Sequence, residues 1–111
     1  MMRLGMHEMT FDKFCEFAGE IFDSLSNEIK KDISISVEEN PSEGARILMA
    51  AYRLENLYSY WNPMTPRNIV LCYWGFLAAN DFSRQRVSAV IKHEFGHVLT
   101  GLLGLKHSEH R

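Results

Sequence analysis

The chain has 111 residues and a mass of 12.9 kDa, with 46% hydrophobic and 23% charged residues, the composition of one ordinary globular domain with no room for two. Twelve Lys and Arg against 14 Asp and Glu give a net charge of −2 with no block of like charge, so the charge pattern offers nothing to nucleic acid. The longest apolar run, Ile69 to Ala79, is well short of the ~18 to 20 residues that cross a membrane. The first residues lead into no apolar secretory core, so a cytoplasmic protein is expected.

From Thr10, apolar residues fall at Phe11, Phe14, Cys15, Ala18, Ile21, Phe22 and Leu25, the spacing of one buried helical face, and predict a helix over about 10 to 31. Ile33-Ser34-Ile35-Ser36-Val37 alternates strictly and predicts a half-buried strand, closed by turn chemistry at Asn40-Pro41-Ser42-Glu43-Gly44. Ile47 to Tyr52 is read as a second strand, although Leu48, Met49, Ala50 and Ala51 favour helix. Two prolines make Asn62 to Pro66 a loop, and Asn68 to Trp74, rich in β-branched and aromatic residues, is the clearest strand. Asp81 and Ser83 offer cap oxygens to a second helix patterned on Val87, Val90, Ile91, Phe95, Val98, Leu99 and Leu102. The expected order is helix, two or three strands, helix, an α+β arrangement. Cys15 and Cys72 lie in apolar stretches without CxxC spacing and read as reduced core thiols.

The second helix carries His93-Glu94-Phe95-Gly96-His97, an HExxH motif. Imidazoles four residues apart are rotated by only ~40° and separated by ~6 Å along a helix axis, so both reach one ion, and neutral imidazole suits Zn²⁺. Glu94, turned by a further ~100°, is placed to act as general base without being a ligand. With five His and ten Glu, a shuffled chain of this composition gives the motif roughly 2 times in 100, so chance is a poor explanation.

A catalytic zinc takes a third protein ligand and keeps an open position. His107 is the first candidate, with Glu109 and His110 behind it. A helix ending in a left-handed cap at Gly101, with Gly104 as a later bend, leaves six residues to bring His107 back to the metal. The ending Gly104-Leu105-Lys106-His107-Ser108 is similar to that of the metzincin pattern HExxHxxGxxH, but ten residues separate His97 from His107 where that pattern has six. Tyr58, Tyr60, Trp61 and Tyr73 are candidates to hold a substrate or an oxyanion, against the plainer expectation that they pack the sheet.

Four stretches carry a resemblance in order and spacing: Met9-Thr10-Phe11-Asp12 through Leu25, Ile33 through Pro41, Asn68 through Tyr73, and Val87 through His97. Together they resemble a small bacterial family of "possible zinc metallopeptidase" domains, and because the match begins at Met9 the resemblance implies that residues 1–8 are an N-terminal extension to a single domain over 9–111. The family's glycine three residues after the second His is Thr100 here, with Gly101 one later, and its acidic third ligand has no clean counterpart. The resemblance implies an α+β, zincin-like fold in which a small mixed sheet packs against the N-terminal helix and the C-terminal HExxH helix. It also implies a zinc-dependent peptidase acting on a peptide or protein substrate. The competing expectation is a zinc-stabilised binding or regulatory module, its fourth metal position closed by a second ligand after His107.

Overall fold

Thr10 opens the first helix as its N-cap, its Oγ1 accepting from the Lys13 amide at 3.2 Å. The computed structural model describes residues 9–102. Helix α1 (Phe11–Asp23) buries Phe14, Ala18 and Ile21, as the spacing predicts, but ends well before residue 31. Ser24 stops it: the Ser24 amide donates to the Glu20 and Ile21 carbonyls and its Oγ donates to the Ile21 carbonyl at 2.6 Å, an alternative to further helix. A single further turn, α2 (Asn27–Lys30), follows, and Lys30 Nζ reaches back to the Asp23 carbonyl at 3.0 Å.

Strand β1 (Ser34–Glu38) keeps the predicted alternation. Ile35 and Val37 pack against the core, while Ser34 and Ser36 face solvent and share Asn68, which accepts from Ser34 at 3.0 Å and donates to Ser36 at 3.1 Å. The strand ends as expected, with a bend at Glu39 and Asn40, but the turn expected over residues 40–44 runs at Glu43 into a helix, α3 (Glu43–Tyr52), which replaces the strand expected at Ile47 to Tyr52. Ser42 is its N-cap, accepting from the Ala45 amide at 3.1 Å, and the run Leu48-Met49-Ala50-Ala51 follows its intrinsic preference. Arg53, at φ 57°, closes it in the left-handed region.

Strand β2 (Ser59–Trp61) comes from the aromatic run that carried no strand signal of its own. Strand β3 (Asn68–Cys72) stops two residues short of the expected end, because Tyr73 already begins α4 (Tyr73–Ala79). The last described helix, α5 (Arg84–Leu102), is N-capped by Ser83, whose Oγ accepts from the Arg86 amide at 3.1 Å. The sheet has order β1-β3-β2, with β1 parallel and β2 antiparallel to the central β3, so it is small and mixed as expected. The helix, strands, helix order is corrected by α3 and α4, which interrupt the strands and follow them.

The core lies on one face of the sheet, where Ile69 and Leu71 of β3 meet Phe14 and Ile21 of α1, Phe76 of α4, and Val87, Ile91 and Val98 of α5. On the other face Tyr60 donates to Glu38 Oε2 at 2.5 Å, Trp74 Nε1 donates to Glu38 Oε1 at 3.1 Å, and Ser42 Oγ lies 3.3 Å from the Tyr60 hydroxyl. Cys72 is buried and Cys15 half-buried; both are free, and burial pushes both thiols up, which keeps them protonated. Among the described residues no helix is long and apolar enough to cross a membrane.

Gly75 fixes how the 54–58 segment sits. An added Cβ there would fall 1.7 Å from the Leu57 carbonyl oxygen, and only glycine permits that approach. The contact is locked by Asn56 Nδ2 donating to the Gly75 carbonyl at 2.9 Å and the Cys72 amide donating to the Tyr58 carbonyl at 2.7 Å. Gly75→Ala is therefore expected to lower stability by about 1–3 kcal/mol in denaturant titration. Gly19→Ala, in a helix with nothing within 4 Å of the new methyl, should raise it by about 0.5–1 kcal/mol.

The Tyr60 phenol is pushed up to about 12, first by burial and then by its bond to the Glu38 carboxylate. An acid held protonated by folding contributes stability below its unfolded value near ~10 and loses that contribution as pH rises through its folded value. Ultraviolet titration should show one late phenolate step near pH 12 that Tyr60→Phe removes, with stability of the wild type falling faster than that of the variant above pH ~10.

Candidate metal centre

Helix α5 sets the geometry by its phase. Val87, Ile91 and Val98 are buried at 0%, 0% and 1% exposure, and the residue completing the i, i+4, i+7, i+11 stripe is Glu94, at 8%. A carboxylate thus occupies a core-facing position between two aliphatic side chains. Phe95, expected on that face, packs at its margin. Burying a carboxylate without a partner is costly, and Ser59 of β2 supplies one: its Oγ donates to Glu94 Oε2 at 2.9 Å, and Ser59 is itself buried.

His93 and His97 lie on the flank of α5, one exposed and one half-buried. Their Nε2 atoms are 2.9 Å apart and their rings meet edge to face, 4.5 Å between centroids at 88°. Two nitrogens on a tetrahedral zinc, each at ~2.0–2.1 Å, would stand ~3.3 Å apart, so the pair is within a few tenths of an ångström of a ligand spacing. The residues present fit one metal ion as a two-imidazole donor set. Among the described residues no third His, Cys, Asp or Glu joins them.

The expected cap at Gly101 is corrected. Helix α5 continues through Gly101 to Leu102, because one glycine costs only ~1 kcal/mol in a helix whose apolar pattern runs on past it. The candidate ligands His107, Glu109 and His110 lie outside the described residues, as does the expected extension over 1–8.

A groove of about 530 Å³ opens beside the pair, walled on one side by the segment from Leu54 to Ser59 and on the other by Arg86, Ala89, Val90 and His93 of α5. Ser59 belongs both to this groove and to the bond with Glu94, which puts the carboxylate one hydrogen bond behind its lining. Of the four aromatic candidates, only Tyr58 lines it. Tyr60 turns to the opposite face, Trp61 Nε1 donates to the Pro66 carbonyl at 2.8 Å, and the Tyr73 hydroxyl donates to the Met9 carbonyl at 2.6 Å within an aromatic cluster with Phe11, Phe14 and Phe82.

Ser59 is the residue that sequence reasoning missed. Its place depends on β2 pairing with β3 in the register Ser59↔Leu71, Tyr60↔Val70, Trp61↔Ile69, and a three-residue strand leaves no periodic signal. No family model matches the chain, and no curated protein or solved structure matches it.

A double-mutant cycle reads the Ser59–Glu94 bond directly. Ser59→Ala should cost about 1–3 kcal/mol in the wild type and less than about 0.5 kcal/mol in a Glu94→Leu background, by denaturant unfolding.

Proposed function

We propose that the chain is a zinc-dependent metallopeptidase with a minimal zincin-like fold, in which His93, His97 and a third residue hold the metal. The observation that carries this reading is the pairing of two imidazoles 2.9 Å apart with a buried, hydrogen-bonded carboxylate on the residue next to the first of them. His107 is the favoured third ligand. When bound, zinc supplies the Lewis acidity that polarises a peptide carbonyl and makes water a stronger acid.

The chain's own residues do the rest. Glu94 takes the proton of the attacking water on a carboxylate oxygen and returns it to the leaving amine nitrogen. Ser59, donating to Oε2, fixes the plane of the carboxylate during both transfers and is a positioning residue. The groove beside His93 offers a peptide a place to lie along α5.

Elemental analysis after dialysis against a weak chelator should find about one zinc per wild-type chain, and none in His97→Ala or His107→Ala. Glu94→Gln should keep the metal and lose hydrolysis by a factor of about 10²–10⁴. Metal retained in His107→Ala moves the third ligand to Glu109 or His110, and a wild type that holds no metal overturns the reading.

A further inference from the structure

The geometry points to a modification site on the face of the sheet away from α5: Tyr60 is the side chain that yields an electron to a radical oxidant, its phenolic proton passing in the same step to Glu38. The inference stands apart from the peptidase reading, since neither residue belongs to that site.

An oxidised phenol is a very strong acid, so a tyrosine gives up an electron readily only when a base already holds its proton by a hydrogen bond. Tyr60 has that base. Its hydroxyl donates to Glu38 Oε2 at 2.5 Å, the short end of the range for a charge-assisted bond between a hydroxyl and a carboxylate. The other carboxylate oxygen, Oε1, accepts from Trp74 Nε1 at 3.1 Å, which keeps the acceptor from turning away. With its phenol pushed up to about 12, Tyr60 carries its proton at neutral pH, so the bonded carboxylate, rather than a ready-made phenolate, opens the route.

The step balances. One electron leaves the Tyr60 ring and reduces the oxidant; the phenolic O–H bond breaks and an O–H bond forms at Glu38 Oε2, leaving a neutral phenoxyl radical beside a neutral carboxylic acid. That acid donates back to the phenoxyl oxygen. Ser42 Oγ lies 3.3 Å from the same oxygen and, because the single phenolic proton is directed at Glu38, is the donor of that pair. Ser42, Glu38, Tyr60 and Trp74 are all half-buried, so the transferred proton stays within the network.

The other tyrosines and both cysteines are worse placed. The Tyr73 hydroxyl donates at 2.6 Å to the Met9 carbonyl, a far weaker base than a carboxylate. Tyr58 has the Arg86 guanidinium 5.1 Å from its ring centroid, and a cation there opposes removal of an electron. Tyr52 is 69% exposed, with water as its acceptor. Cys15 and Cys72 are free thiols kept protonated by burial, and among the described residues neither is hydrogen-bonded to a carboxylate. An indole radical lies higher in potential than a phenoxyl formed with proton transfer, so a hole created on Trp74, which shares Glu38 with Tyr60, moves on to Tyr60.

The test exposes the full chain to azide radicals made by pulse radiolysis and follows the phenoxyl absorbance, with circular dichroism confirming that each variant is folded. Tyr60→Phe should remove most of the phenoxyl signal and leave a longer-lived indole radical, whereas Tyr52→Phe should leave most of the phenoxyl in place. Glu38→Gln keeps an acceptor oxygen of the same shape but not the base, and should slow phenoxyl formation about 10²-fold. A merely structural bond would not show that loss. A phenoxyl yield unchanged in Tyr60→Phe, or a rate unchanged in Glu38→Gln, overturns the inference. Should either variant fail to fold, the wild type decides: peptide mass spectrometry after a low radical dose should find the tyrosine oxidation product on Tyr60, and product confined to the other tyrosines overturns the inference.

Discussion

A carboxylate on the core-facing stripe of a helix is the constraint around which this small domain is arranged. Glu94 sits between Ile91 and Val98, and its burial requires a donor fixed opposite it. Ser59 is that donor, so β2 must run where its first residue meets α5. That in turn requires β2 to be held against β3, and the Cys72 amide, bonded to the Tyr58 carbonyl just before the strand begins, extends the pairing. The placement of Ser59 opposite Glu94 thus joins the contacts of Gly75 with Leu57 and Asn56 in fixing the chain from Leu57 to Trp61, and the groove wall follows from that placement.

The same arrangement explains what was readable in the sequence. Phe14, Ala18, Ile21, Val87, Ile91 and Val98 are buried on the faces their spacing predicts, and the serines of β1 face out, because periodicity registers wherever a long element has one apolar side. The HExxH spacing likewise fixes the two imidazoles on one flank of α5 from helix geometry alone. Local chemistry was read correctly at Thr10 and Ser83, where a side chain caps the next turn.

The failures share a physical origin as well. Asn40 to Gly44 has turn composition, yet Ser42 uses the same oxygen to cap α3, and residues that favour turns also favour helix starts. Asn68 to Trp74 reads as one strand because β-branched and aromatic residues continue past Cys72, while the break depends on Gly75 meeting the Leu57 carbonyl, a contact between segments far apart in sequence. Ser59 was invisible for the same reason: its role is defined by a partner 35 residues away. Elements whose cause is tertiary were not legible, and of those whose cause is local only α3 was missed, where an apolar run was read as strand against its own helix preference.

Strand β2 shows how much a three-residue element can specify. Ser59 and Tyr60 point to opposite faces of the sheet, and each donates to a carboxylate, Glu94 on the core side and Glu38 on the other. A slip of one residue in the pairing with β3 would exchange the two faces, setting the Tyr60 ring against α5 and leaving both carboxylates without these donors. Hydrophobic patterning cannot prevent such a slip here, since Tyr60 and Trp61 are apolar enough for either face. The loss of both donors opposes it, and the Cys72 amide bonded to the Tyr58 carbonyl and the close fit of Leu57 on Gly75 oppose it too, so polar pairs and backbone contacts together fix the register that brings Ser59 to Glu94 and Tyr58 to the groove.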